Sequence, residues 1–418
     1  MADRKVSPQR DTLWLSGADA VNLVFGVIIH VVLTRALLSE EYGTFILLLD
    51  LFHVCVIIVD LGLPTLIGRD GERLGVELSK VLKSVSGIQA PLVFILGGAL
   101  AYLGVALFGG WLVPAGFLAL GAGMQVLAYT FRAALRALGE ARWEAVVRIV
   151  DRGTVAVLMV AWAGDVHEFA IATMVGPVAA YLVAVSIYRA KVAHRLVAPE
   201  EPLPETAGLD SRQLVSAGLP FLLASAALVV NVRVEKLLLG LLATPEDVAV
   251  FQIAWLGFIA GYGPILSLRA VLLSWFGEVR DDLERLAHRY KRAFITCAII
   301  CPVGALISIG VGPFAFDALF PEYAEAVKKP FYGLMLVWLF QAMASPSLSI
   351  IQIGKRPWNY TRILWAGIAI DILLCLWLIP TQSNPVTGAV GAACVASLFV
   401  FAVSFAGFAR SEIEAKAE

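Results

Sequence analysis

The chain has 418 residues, of which 59% are hydrophobic and 16% charged, and its mean hydropathy is +0.82. A soluble domain carries about a quarter charged and about half apolar residues, so this composition excludes a water-soluble globular protein and specifies a membrane one. With 32 Lys and Arg set against 33 Asp and Glu, no basic excess is available for nucleic acid.

A spanning helix needs about 20 largely apolar residues. Twelve stretches satisfy that, at residues 13–33, 44–63, 88–108, 112–130, 146–163, 169–188, 215–241, 248–268, 293–314, 331–352, 363–379 and 386–408. Basic residues test the count, because cytoplasmic loops are rich in Lys and Arg. They recur in alternate connections: Arg4, Lys5 and Arg10; Arg69, Arg73, Lys80 and Lys83; Arg132, Arg136 and Arg142; Arg189 to Arg212; Arg269 to Arg292; Lys355, Arg356 and Arg362; Arg410 and Lys416. Among the other loops only Lys328 and Lys329 stand out. Both termini are therefore expected in the cytoplasm, and the first span, which lacks a small-residue cleavage site, is expected to be retained.

The polar stretch 189–212, with Pro199, Pro202 and Pro204, divides six spans from six. The halves echo one another: 33–45 aligns with 239–251, so that Glu40 meets Glu246, Glu41 meets Asp247 and Phe45 meets Phe251, and Pro91 answers Pro302. The expected architecture is all-α and integral to the membrane. A six-helix bundle over 1–198, a cytoplasmic linker over 199–212 and a second bundle over 213–418 form parallel repeats around a central cleft.

Ionisable residues inside a membrane are costly unless they face protein or water, so they mark functional candidates. At about 1.5 Å per residue, Asp50 lies about 14 Å in from the turn at Glu41, Arg233 about 15 Å from Ala243 and Asp371 about 14 Å from Arg362. Asp151 and Arg152 lie about 12–14 Å beyond Trp143, and Glu235 and Lys236 are slightly shallower than Arg233. Arg148 and Arg152, four apart, share a helix face. Forked, permanently charged guanidinium groups suit phosphate, which makes Arg152, Arg233, Arg148 and Lys236 candidates for an anionic substrate. The same residues are equally consistent with structural pairs, Arg148–Asp151 and Arg233–Glu235, or with Arg148 reaching back to the surface. Asp50, Asp371, Asp151 and Glu235 are candidates for coupling to H+ or Na+. His53 and His30 read as satisfied interior histidines, and Asp19 with Asn22 as a polar face of the first span. Residues 72–86 and 278–292 read as helices lying on the cytoplasmic leaflet.

The five cysteines, Cys55, Cys297, Cys301, Cys375 and Cys394, all lie in apolar stretches and read as buried small hydrophobes without a disulfide framework or a metal. The chain has no phosphate-binding Gly-x-x-x-x-Gly-Lys-Ser/Thr loop, no Gly-x-Ser-x-Gly elbow, no His-Glu-x-x-His helix and no large soluble loop, so transport is favoured over catalysis and no catalytic residue is assigned.

Several segments carry a resemblance: Arg35 to Phe45, the run Asp60-Leu-Gly-Leu-Pro64 with Arg69, Arg136-Ala-Leu-Gly-Glu-Ala-Arg142, Gly218-Leu-Pro220, and Leu319 to Ala326 followed by Gly354-Lys355. Together they resemble the polysaccharide-exporter, O-antigen-flippase type of the superfamily that also holds multidrug extruders and the lipid II flippase. The resemblance implies two bundles rocking in alternating access in the cell membrane and moving a polyprenyl-pyrophosphate-linked oligosaccharide to the outer leaflet. It implies cavity arginines, which this sequence offers at Arg152 and Arg233, and partners among membrane lipids, a polysaccharide polymerase or glycosyltransferases. No basic residue precedes Arg35 within the first span, and two additional spans of the lipid II flippase's close relatives are missing, which turns the expectation away from a peptidoglycan precursor. Two alternatives stay open: an ion-coupled multidrug extruder of the same fold, and a non-transporting scaffold for a glycan synthase.

Overall fold

The computed structural model describes residues 8–162, 164–192, 205–277, 279, 282–353 and 358–417. Among these the chain is helical, with no strand. In chain order the helices are α1 (Pro8–Ala36), α2 (Ser39–Cys55), α3 (Ile57–Asp60), α4 (Leu63–Leu74), α5 (Leu78–Phe108), α6 (Leu112–Ala137), α7 (Ala141–Ala161), α8 (Val166–Ile187) and α9 (Ser211–Asn231), then α10 (Val234–Leu242), α11 (Pro245–Gly277), α12 (Leu283–Leu319), α13 (Ala324–Ile353), α14 (Trp358–Thr381) and α15 (Pro385–Ala417).

Among the described residues ten helical segments are long and apolar enough to cross a bilayer, and the protein is a multi-pass membrane protein. Helices α7 and α11, the fifth and eighth of the twelve expected spans, are not among the ten. In α7 the reason is composition, since Arg142, Glu144, Arg148, Asp151 and Arg152 all fall within its 21 residues. Outward faces carry bare hydrocarbon: on α12, Ile299, Ile300, Leu306 and Phe314 are all exposed, Phe314 to 75%. Lipid replaces water as their solvent.

The chain falls into two compact units, Met1–Val229 and Val230–Glu418. The first takes in α9, which the repeat assigns to the second half. The cause is a close backbone contact. Leu61 and Gly62 both adopt left-handed conformations (φ 52° and 70°), and a Cβ on Gly218 would lie 2.3 Å from the Leu61 carbonyl oxygen. Glycine at both 62 and 218 lets the α3–α4 turn seat directly on α9. That turn ends the span expected over 44–63, which runs Ser39–Asp60, and Asp60 Oδ1 secures it by accepting from the Gly62 amide at 2.8 Å.

Elsewhere in this unit α6 packs on α8, α5 and α4, while α7 packs on α1 and α8. Gly104 of α5 admits Leu48 and Phe52, and Gly121 of α6 approaches the backbone of Met174 on α8. In the second unit α13 packs on α11, α12 and α15, and α14 on α10 and α15. Phe331 fills the gap left by Gly257 and Gly312, and the Trp338 indole rests on Gly261.

Three further expectations change. The span 215–241 is interrupted, α9 ending at Asn231 and Arg233 standing as N-cap of α10 with its amide bonded to the Val230 carbonyl. Residues 72–86 do not form a separate surface helix. A 3-10 turn at Gly75–Glu77 leads straight into α5, whose Leu78, Val81, Leu82 and Val85 join a core with Leu63, Leu74 and Leu135. Within 278–292, Leu286 and Tyr290 open the continuous α12 and pack with Leu272, Phe276 and Val279, while 278, 280 and 281 lie outside the described residues.

The repeated acidic turn gains a physical explanation. Glu41 Oε2 accepts from the Leu38 amide at 3.1 Å, and at the aligned position Asp247 Oδ2 accepts from the Thr244 hydroxyl at 3.1 Å and its amide at 3.3 Å. Each carboxylate satisfies an orphan donor at a helix start and faces the positive end of the helix dipole.

Candidate functional site

In the first unit the charge is organised by α7. Glu144 is fully buried and receives Arg136 in a forked contact, with Nε at 2.8 Å. Arg148 Nη2 reaches it at 2.8 Å, one turn along the same helix, and Arg132 Nη2 lies 3.8 Å away. Arg148 also donates through Nη1 to Asp19 Oδ1 on α1 at 2.5 Å. The Arg148–Asp151 pair considered from the sequence is replaced by these two partners. Spacings of four and three place both Glu144 and Asp151 within reach of Arg148, but the guanidinium turns back to Glu144 and across to Asp19, while Asp151 meets Gln125 of α6. Arg152, half-buried in the next turn, has no hydrogen-bond or ion-pair partner among the described residues.

Asp151 and Asp50 are buried, at 5% and 7% exposure. Asp151 Oδ2 lies 3.4 Å from the Gln125 side-chain amide on α6, and the other end of that amide lies 3.0 Å from His53 Nε2 on α2. His53 Nδ1 bonds the Leu49 carbonyl at 2.6 Å. His30 bonds the Tyr42 hydroxyl at 2.8 Å, as an interior histidine would.

In the second unit Glu235, Lys236 and Asp371 are all at least 96% buried. The Glu235 and Asp371 carboxyl groups lie close enough to act on one another, and Cys375 Sγ sits 3.6 Å from Asp371 Oδ1. Two carboxyl groups close together and away from water cannot both stay ionised without a compensating positive charge. Lys236 is drawn aside: its Nζ donates to Gln252 Oε1 at 2.9 Å and lies 5.8 Å from the Trp255 ring, a partly electrostatic contact with the aromatic face. Trp255 stacks on Phe258 at 4.3 Å.

The structure thus gathers Arg148, Asp151 and Arg152 on one helix of the first unit, and Glu235, Lys236 and Asp371 into one cluster of the second, with Arg233 capping the helix that carries the first two. Counting ionisable residues alone overlooks Gln125 and Gln252, the amides that tie these groups to neighbouring helices. The signal was present, since each is an isolated polar residue inside a span.

At the edge of the first unit, Arg69 donates to Asp70 at 2.6 and 2.7 Å and the Thr206 hydroxyl donates at 2.8 Å. The hydrogen-bonded guanidinium holds the Asp70 carboxyl below the usual carboxylate range, with Thr206 adding to it.

These helices assemble into the fold of a membrane transporter. A multidrug resistance MATE family transporter of the MOP superfamily, solved in an inward-facing conformation, is 15% identical with a TM-score of 0.77, covering 95% of this chain and 96% of that one. Its outward-facing counterpart is 14% identical at 0.71, over 99% and 97%. A MOP superfamily transporter from Pyrococcus furiosus, described as having a binding pocket of reversed polarity, is 17% identical at 0.67, over 99% and 97%. No curated protein matches the chain in sequence. Residues 9–256 match the model of the polysaccharide biosynthesis protein family, and the chain belongs to that family.

Proposed function

We propose that the protein is an alternating-access flippase that carries a polyprenyl-pyrophosphate-linked oligosaccharide from the cytoplasmic to the outer leaflet, driven by H+ or Na+. Family membership across residues 9–256 is the observation that carries this reading. The frame proposed is twelve spans in two parallel six-helix bundles with both termini cytoplasmic, and a polysaccharide polymerase or glycosyltransferases are the proposed partners. The side chains support it in one respect. Arg148 is engaged by Glu144 and Asp19, which leaves half-buried Arg152 as the α7 guanidinium open to a pyrophosphate, with Arg233 proposed as its complement and Lys236 as a weaker contributor. Glu235 with Asp371 is the proposed ion-coupling pair, and Asp50 and Asp151 are further candidates.

The second reading, an ion-coupled drug extruder, is favoured by the multidrug transporters among the solved structures of this fold. A host lacking its own copy of the gene separates the two. With Arg152→Ala and Arg233→Ala combined, surface glycan is expected to fall by at least about tenfold at normal protein level. Undiminished glycan would remove the pyrophosphate clamp, and altered efflux of cationic dyes would support the extruder.

A further inference from the structure

We propose that His53, Gln125 and Asp151 form a proton-binding site in the first unit, a relay across α2, α6 and α7 that is fully hydrogen-bonded only while it holds one mobile proton. It rests on the transport reading for its purpose but not for its chemistry.

The argument is one of donors and acceptors. The Leu49 carbonyl, 2.6 Å from His53 Nδ1, only accepts, so Nδ1 must carry a hydrogen. The Gln125 amide then bridges His53 Nε2 at 3.0 Å and Asp151 Oδ2 at 3.4 Å, and it has one accepting and one donating end. With its oxygen toward the ring, Nε2 must donate, so His53 is an imidazolium and Asp151 an ionised carboxylate. With the amide turned over, its NH2 faces a neutral Nε2 and its oxygen faces Asp151, which must then be protonated to donate. Both arrangements hold the same number of protons. Removing one leaves acceptor against acceptor at one end of the amide, whichever way it points. The proton therefore binds the three helices together, and its loss loosens them.

The surroundings suit such a site. Asp50, one turn before His53 on α2, is 7% exposed. Arg132 on α6 is close enough to Asp151 to interact with its charge. Arg148 and Arg152 flank Asp151 on α7, and Asp19 of α1 is engaged by Arg148. Of the other helices packed on these three, α5 and α8 carry charged residues only near their N-terminal ends, Lys80 and Lys83, and His167 and Glu168. Helix α1 also carries His30, α3 carries Asp60, and α4 carries Arg69, Asp70, Glu72 and Arg73. Gly176 of α8 seals the site from one side, for a Cβ there would lie 2.5 Å from the Asp151 carbonyl oxygen. His53 itself is half-buried, which gives the proton a way in.

The test is the titration of His53 in the full-length protein in lipid nanodiscs, read from ring-nitrogen NMR signals with His53→Asn identifying the resonance. Both ring nitrogens are expected to carry hydrogen at neutral pH. Asp151→Asn supplies a permanent donor and satisfies the neutral ring, so the midpoint should fall by at least about one pH unit, a tenfold loss of proton affinity. Gln125→Leu, a second variant that breaks the bridge, should lower it as well. A wild-type His53 that stays neutral across about pH 5–8, or a midpoint unmoved by either substitution, overturns the site. Shifted midpoints in a chain that exports no glycan would sustain the proton site and defeat the flippase reading, while unshifted midpoints with active export would do the reverse.

Discussion

In the first unit a fully buried carboxylate, Glu144, is met by three arginines, whereas in the second unit buried Glu235 meets another carboxyl, that of Asp371. The difference separates two uses of charge in a membrane. Opposite charges within a hydrogen bond of each other neutralise one another and lock helices α1, α6 and α7 together without any ligand. Like charges in contact are incomplete by themselves and call for a cation. Under the proposed function the first arrangement belongs to structure and the second to coupling, and substitutions should tell them apart.

The largest effect is expected at Glu144. Glu144→Ala leaves Arg132, Arg136 and Arg148 without their shared carboxylate and should cost about 3–5 kcal/mol, read as a lowered unfolding midpoint or as protein absent from the membrane. A wild-type midpoint would show that the arginines find water, breaking the contrast between the units. Next comes Gly176 of α8, where an added Cβ would lie 2.5 Å from the Asp151 carbonyl oxygen and 2.4 Å from Val155 Cγ2. Gly176→Ala should destabilise by about 1–3 kcal/mol through forced separation of α7 and α8, measured in the same denaturation assay.

Asp371→Asn reverses the pattern seen at Glu144. One of two like groups is gone, so stability should hold or rise, while ion-driven transport should drop about tenfold or more, in a flux assay at matched protein level. Simultaneous collapse of stability would place the pair with the structural charges. The smallest effect is at Asp70, whose partner Arg69 is 56% exposed and whose pairing is therefore worth about 0–1 kcal/mol. Because the folded carboxyl is held below its unfolded value, its contribution is present above about pH 4 and fades as the pH falls through the folded value. Asp70→Asn should remove that acid-side loss, a change visible by comparing unfolding midpoints at neutral and acid pH.

Much of this was legible in the sequence because a bilayer writes its demands in composition. Long apolar runs, basic loops and the aligned acidic turns at Glu41 and Asp247 all follow from rules that act within about 20 residues. What escaped reading is set by contacts between distant segments. The break at Asn231 to Arg233 lies inside an apolar run with no proline to mark it. Docking of α9 on the Leu61–Gly62 turn depends on Gly218, 156 positions further on. The partner of Arg148 was mistaken because Asp151 lies nearer in sequence, although Glu144 sits one helical turn away and Asp19 comes from another helix altogether. The contact between Glu235 and Asp371 joins residues of two helices whose separation gives no local signal.

The central claim is that this chain moves a lipid-linked oligosaccharide across the bilayer, and purified protein in liposomes tests it most directly. Vesicles loaded on one leaflet with a fluorescent polyprenyl-pyrophosphate oligosaccharide are assayed for the label's exposure to an impermeant glycosidase on the other side. The account predicts exposure that depends on the protein and an imposed H+ or Na+ gradient and that falls with Arg152→Ala plus Arg233→Ala. Exposure no faster than in protein-free vesicles, with the protein folded and the gradient intact, would contradict it.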